Sequence, residues 1–178
     1  MRDRSVRLFW TFILSVAAVN VAVFWGYIVD DAYISFRYLN NLLEGNGLVF
    51  NPGERLESFS NFIWIAILIP FSLAGVPLIL SSRIAGALFF LGTILLGKKI
   101  IDQLDPQAAR DNNLFLAFLI ASCPHLGFWA TGGLETVAFS FFICSSIHLA
   151  LRDSFALSDR ILLPLSCFFL TLCRPEGA

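Results

Sequence analysis

Long apolar runs separated by short clusters of charge make up this chain. No charged residue lies between Arg7 and Asp30, between Glu57 and Arg83, or between Asp111 and Glu135, so each run is 22 residues or longer. A helix needs roughly 20 apolar residues to cross the hydrocarbon core of a bilayer, and such runs are much too long for buried strands. The pattern predicts an all-α fold, a polytopic transmembrane helical bundle. Candidate spans are residues 8–29, 77–97, 113–130, 136–151 and 161–173. Residues 61–75 are also apolar, but Pro70, Gly75 and Pro77 interrupt what would otherwise be one straight helix.

The basic residues decide how that interrupted stretch is read. If 61–75 lies along the outer interface or dips in and returns, then Arg2, Arg4, Arg7, Lys98, Lys99, Arg110, Arg152 and Arg160 all fall on the cytoplasmic side. Only Arg37, Arg55, Arg83 and Arg174 then fall outside. If 61–75 crosses, the cytoplasmic excess disappears, so the positive-inside rule favours the first arrangement. Arg83, about 9 Å below the start of its helix, is within snorkelling reach of the outer surface. Asp30, Asp31, Glu135 and Arg174 then all arrive at the same outer face. Met1–Arg7 resembles the start of a secretory signal, but the run behind it is long and exits through bulky Phe24–Val29. A signal anchor is expected there, with a cytoplasmic N-terminus.

Residues 30–60 form the expected outer loop. Ala32, Phe36, Leu39 and Leu43 share one helical face, with Arg37, Asn40, Asn41 and Glu44 on the opposite one. That pattern predicts an amphipathic helix lying along the membrane surface. Gly45-Asn46-Gly47 ends it and Asn51-Pro52-Gly53-Glu54 makes a turn. Adjacent carboxylates at Asp30 and Asp31 have two chemical uses. One can be held as a base, or the pair can share a divalent cation, which favours oxygen ligands. A solvated helix end is the plain alternative.

Composition adds little beyond this. The chain is 57% hydrophobic and 14% charged, against about 25% charged in an ordinary soluble domain. Cys123, Cys144, Cys167 and Cys173 sit in or at the ends of apolar runs, without metal-ligand spacing. His125 and His148 are isolated within apolar segments, where helix–helix hydrogen bonding is the expected role. Arg174-Pro-Glu-Gly-Ala178 follows directly on an apolar run, and a longer protein is expected.

Three segments then carry a resemblance. Asp30–Tyr38 (DDAYISFRY) followed by Gly45–Glu57 (GNGLVFNPGERLE) is similar to the start of polyprenyl-phosphate-dependent glycosyltransferases of the GT-C superfamily. Within that group it resembles the mycobacterial terminal arabinofuranosyltransferase family and its relatives in other bacteria. Ala130–Thr136 (ATGGLET) resembles that family's second outer-loop motif, and Leu172–Gly177 (LCRPEG) its RP(D/E)G motif. Ser58-Phe-Ser-Asn61 departs from the pattern, since relatives often carry a Tyr-Thr type pair there.

The resemblance implies a GT-C bundle with membrane-parallel helices in the first outer loop. It implies transfer of a sugar, arabinofuranose or another pentose or hexose, from a polyprenyl-phosphate donor to a cell-envelope glycan, lipid or protein. The reaction would take place on the outer face of a bacterial cytoplasmic membrane. It maps the acidic residue after the first helix onto Asp30 or Asp31, and a second acidic position onto Glu135, as catalytic candidates. The same three carboxylates are the metal candidates if a divalent cation is used. Arg37, Arg55, Glu57, Arg174 and Glu176, further charged members of the motifs besides Glu54, are the substrate-binding candidates. The leaving lipid phosphate needs a cation aimed at it, and Arg174, able to grip phosphate in bidentate fashion, fits. No nucleotide-sugar and no nucleic acid are expected as partners, and no GxGxxG cradle is present. A transporter or flippase is the competing reading, and an inactive fragment of the enzyme a third. Transporters place ionisable groups near the bilayer midplane on broken helices; here they sit at segment ends, which favours the enzyme.

Overall fold

The computed structural model describes residues 2–54, 59–105, 110–152 and 157–174. The described residues form eight helices and no strand: α1 (Arg2–Val23), α2 (Ala32–Leu43), α3 (Phe62–Leu73), α4 (Leu78–Leu104), α5 (Arg110–Ser122), α6 (Pro124–Thr131), α7 (Thr136–Ala150) and α8 (Leu157–Cys173). The expected all-α class is what is found. Helices α1 and α4 are long and apolar enough to cross a membrane, and α5 with α6 makes a third such unit if the bend between them lies within one span. Leu8, Phe12 and Val19 on α1, Leu88 and Leu95 on α4, and Leu162 and Phe168 on α8 are exposed. So much outward-facing apolar surface belongs to a protein whose solvent is lipid.

Several boundaries differ from the apolar runs. Residues 24–29 leave the first helix as a turn and an extended strap instead of continuing it to residue 29. Two contacts capture this strap: Thr131 Oγ1 donates to Phe24 O at 3.0 Å, and Val29 N donates to Gly132 O at 2.9 Å. The run 113–130 is two helices bent by 57° at Cys123–Pro124, because Pro124 has no N–H for the helical ladder. Carbonyls at the bend accept from Asn20 on α1, whose Nδ2 donates to Ala121 O at 3.1 Å and Cys123 O at 2.8 Å. A break at membrane depth is tolerated only when its backbone groups find such partners. Helix α4 runs on past residue 97 through an ion pair between Lys98 and Asp102, one helical turn apart. Helix α8 begins at Leu157, four residues early, with buried Asp159 in its first turn paired to Arg152. A carboxylate at a helix N-terminus is favoured by the unsatisfied N–H groups there.

The amphipathic reading of α2 needs one correction. Ala32, Phe36 and Leu39 are buried as expected, but Leu43 is exposed and Asn41, assigned to the polar face, is buried. Asn41 Nδ2 donates to Val49 O and Phe50 O at 2.8 Å each, so it faces inward to satisfy loop carbonyls. Helix α3 spans 12 residues, about 18 Å, and buries Trp64, Ile65 and Leu68 against the bundle.

Contacts along the helices fix their relative directions. Gly86 on α4 lies against the Ala130 backbone, where a Cβ would come within 2.1 Å of the carbonyl oxygen, and Gly97 lies against Ile120. Thus α4 runs antiparallel to the α5–α6 unit. Phe89 on α4 packs on Phe142 of α7, and Gln103 Oε1 meets His148 Nδ1 at 2.8 Å, so α4 and α7 run parallel. His148 therefore serves as a helix–helix link. Ser146 donates to Ser166, and Arg174 reaches Glu135, which makes α8 antiparallel to α7. Phe12 stacks on Phe118, and Asn20 meets Ala121, so α1 runs with α5. Lys98, Asp102, His148, Arg152 and Asp159 gather at one end of the bundle, and the Asp30–Asp31, Glu135 and Arg174 positions at the other. Near that second end Arg83 sits 5.4 Å from the Trp25 ring centroid and donates to Tyr27 O at 3.3 Å.

Candidate functional site

The strap after α1 delivers Asp30 and Asp31 to the start of α2. Asp31 is the N-cap, yet its side chain makes no capping hydrogen bond. Its N–H donates to Asp30 Oδ1 at 3.1 Å, and both residues are exposed. An N-cap carboxylate that does not turn back on its own helix is left to face solvent or a ligand.

The turn between α6 and α7, within ATGGLET, seats three elements together. Gly133 has φ of +91°, and a Cβ there would meet Ile28 Cδ1 at 2.6 Å and Ala32 Cβ at 2.7 Å. Only glycine supplies both the left-handed backbone and the space. Gly133 O accepts from Trp64 Nε1 at 2.9 Å, which ties α3 to the same turn. The glycines in this motif therefore have a packing role, placing the starts of α2, α3 and α7 side by side.

Two residues on, Glu135 is only 5% exposed, and both of its oxygens are engaged. Oε1 accepts from Arg174 Nε at 2.7 Å, and Oε2 accepts from Asn61 Nδ2 at 2.8 Å. Arg174 also donates through Nη2 to Thr136 Oγ1 at 3.0 Å. A guanidinium carries five N–H donors, so these two contacts leave others for a bound anion. Asn61 in turn shares hydrogen bonds with Ser35 on α2, at 3.0 and 3.3 Å. The result is a continuous polar chain, Ser35–Asn61–Glu135–Arg174–Thr136, under an apolar shell that includes Phe36, Trp64, Ala138 and Cys173.

Above this chain opens a cavity of about 310 Å³ lined by Asp31, Ile34, Ser35, Phe59, Ser60, Asn61, Leu134, Glu135 and Arg174. Pockets that bind small molecules start at about this volume. Three of the residues singled out from sequence, Asp31, Glu135 and Arg174, thus share one cavity although 104 and 39 positions separate consecutive members. Asp30 is not among the lining residues. Arg37 points elsewhere, its Nε donating to Phe50 O at 3.1 Å and bracing the 45–54 loop. Arg55, Glu57 and Glu176 lie outside the described residues. Ser35 and Thr136, inside the quoted motifs, and Asn61, at the end of the Ser58–Asn61 segment, are site members that the sequence did not single out. Their signal was weak, since single Ser, Thr and Asn residues next to apolar helices are common.

Among the described residues, no three His, Cys, Asp or Glu side chains come together in a way that could hold a metal ion. Asp30, Asp31 and Glu135 are not gathered into such a group, and Glu135 is paired with the Arg174 guanidinium.

No protein-family model matches the chain, and no solved structure does. Two curated proteins do. A terminal beta-(1→2)-arabinofuranosyltransferase of Mycobacterium tuberculosis is 41% identical over 134 residues, covering 69% of this chain and 21% of the relative. A protein of the same name from Corynebacterium glutamicum is 34% identical over 113 residues, covering 56% of this chain and 16% of the relative. The chain thus spans about a fifth or less of the length of these relatives. Over most of its own residues, it is a homologue of the terminal arabinofuranosyltransferases, as its three motifs suggested.

Proposed function

We propose that the complete gene product is a membrane glycosyltransferase of the GT-C type. It moves a sugar, arabinofuranose or a related pentose or hexose, from a polyprenyl-phosphate donor to a cell-envelope acceptor outside the cytoplasmic membrane. The observation that carries this reading is the shared cavity of Asp31, Glu135 and Arg174. It puts an exposed carboxylate, suited to a base, in one small space with a guanidinium suited to a leaving phosphate.

The chemistry follows from these groups. Asp31 takes the proton of the acceptor hydroxyl as its oxygen bonds to the anomeric carbon. The bond from that carbon to the donor phosphate breaks through an oxocarbenium-like transition state, as in glycoside hydrolysis. The electron pair stays on the phosphate oxygen, and Arg174 stabilises the charge that develops there. Glu135 and Thr136 hold Arg174 in place through its Nε and Nη2 and leave its remaining N–H groups for phosphate. The test is transfer by membranes carrying the complete gene product, supplied with a polyprenyl-phosphate sugar or with the matching nucleotide sugar. Label is expected to move from the lipid donor alone, and transfer from the nucleotide sugar in washed membranes would overturn the reading.

The same proposal puts the cavity on the outer face. The helix directions support it, because α1, the α5–α6 unit and α8 run one way while α4 and α7 run the other. The basic cluster at the opposite end then lies in the cytoplasm, as the positive-inside rule favours. Asp105→Cys, exposed just past α4, tests this in a background without the native cysteines. An impermeant thiol reagent is expected to label it only after permeabilisation. Labelling in intact cells would reverse the topology.

A further inference from the structure

We infer that Asn61 is a positioning residue, which sets the Glu135–Arg174 pair against the helix that carries Asp31. This rests on the proposed transferase reading and extends it to a residue that no motif pointed to. Asn61 is the N-cap of α3, one of the residue types best suited to bond the free N–H groups of a helix start. It does not do so: its φ and ψ are −106° and 50°, and its side chain makes no capping bond. Its backbone carbonyl still accepts from Trp64 N and Ile65 N, so the helix is begun by the main chain alone. The amide is turned away into the buried chain, where Nδ2 donates to Glu135 Oε2 at 2.8 Å and to Ser35 Oγ at 3.0 Å.

The geometry explains why an amide is needed. Glu135 Oε1 is held by Arg174, so a second donor on Oε2 fixes the carboxylate plane and, through it, the guanidinium. Asn61 is 6% exposed and contacts α2 through Ser35, four residues along the helix from Asp31. One side chain therefore joins the carboxylate side of the cavity to its guanidinium side. A carboxylate at position 61 would face Glu135 without a proton to share. The charged groups facing it would be Glu135 from α7, Arg174 after α8 and Asp31 before α2.

The test compares Asn61→Asp with Asn61→Ser in the complete gene product. Both residues cap helices about as well as asparagine, so a merely structural role at the start of α3 leaves both variants like wild type. The positioning role separates them. Asn61→Asp is expected to raise the KM for the polyprenyl-phosphate sugar by about 10- to 100-fold, the range for a lost hydrogen bond to a charged group. Part of that loss should return as the pH is lowered and the new carboxyl takes up a proton. Asn61→Ser, neutral but too short to reach Glu135, is expected to fall between, without the pH-dependent recovery. Melting temperature and membrane abundance monitor folding, and a donor KM in Asn61→Asp equal to that of wild type at every pH overturns the inference. If wild type itself transfers nothing from the lipid donor, the transferase reading fails, not this positioning role. Thiol cross-linking then still reads the geometry: an Ile34→Cys/Leu134→Cys pair, both lining the cavity outside the hydrogen-bonded chain, should cross-link less readily with Asp at 61 than with Asn, and equal yields refute it.

Discussion

Asp31→Asn is expected to lower turnover on the lipid-linked donor by about 10²- to 10⁴-fold, the usual contribution of a positioned general base. Asp30→Asn should cost far less. Only Asp31 lines the cavity, and asparagine at position 30 keeps the oxygen that accepts from Asp31 N–H. Neither change should unfold the protein. Both side chains are exposed, and asparagine serves an N-cap as well as aspartate does, so stability should stay within about 0.5 kcal/mol. The measurement is turnover at saturating donor for each variant, with membrane abundance as control. Near wild-type turnover in Asp31→Asn removes it as the base. A large loss confined to Asp30→Asn moves the base to Asp30 and breaks the link between cavity lining and chemistry.

The second large effect is expected at Arg174, in donor affinity. Alanine there removes the phosphate partner but also strands Glu135, 5% exposed, without its counter-ion. Breaking a fully buried pair from one side costs about 3–5 kcal/mol of stability, and solvent at Arg174, 34% exposed, lowers that here, yet the remainder is enough to obscure a binding result. The informative comparison is therefore Arg174→Ala in a Glu135→Gln background, where no buried charge is left behind. There donor affinity is expected to fall by at least about 10-fold, the scale of a charge-assisted hydrogen bond. Arg174→Lys alone should recover only part of the wild-type affinity. An ammonium can answer Glu135 or a phosphate as a point charge, but it lacks the planar fork that serves both together. An interfacial anchor would behave otherwise, since snorkelling needs only a long stem and a charged head. Lysine equal to arginine in donor affinity, or unchanged affinity in the double variant, would refute the phosphate role.

Much of the architecture was legible along the chain because membrane helices are specified locally. A run of 22 uncharged residues cannot be satisfied in water or as a strand, and so α1 and α4 follow from composition over a short window. The three motif carboxylates and Arg174 were legible too, since charge beside an apolar run stands out wherever it occurs. Breaks and ends were not. The strap at residues 24–29 is uncoiled because Thr131 and Gly132, more than 100 positions away, take its backbone groups. The bend at Pro124 is held by Asn20 on another helix, which donates to two carbonyls there. No local window contains those partners.

The site divides the same way. Residue type marked Asp31, Glu135 and Arg174 as chemically able, and the order of the apolar runs pointed to one end of the bundle for all three. Which of two adjacent aspartates enters the cavity depends on how α2 is seated against the ATGGLET turn. That seating depends in turn on the space left by Gly133 beside Ile28 and Ala32. Glu135 read as a free acid becomes one half of an ion pair only when α8 runs antiparallel to α7 and brings Arg174 back beside it. Asn61, ordinary in sequence, gains its place because buried polar groups must find partners, and setting the start of α3 beside α2 and the turn before α7 leaves it those of Ser35 and Glu135. The chain thus determined which chemistry is available from its local pattern. Tertiary structure decided which groups meet, because hydrogen bonds and ion pairs form by distance in space and not by position in sequence.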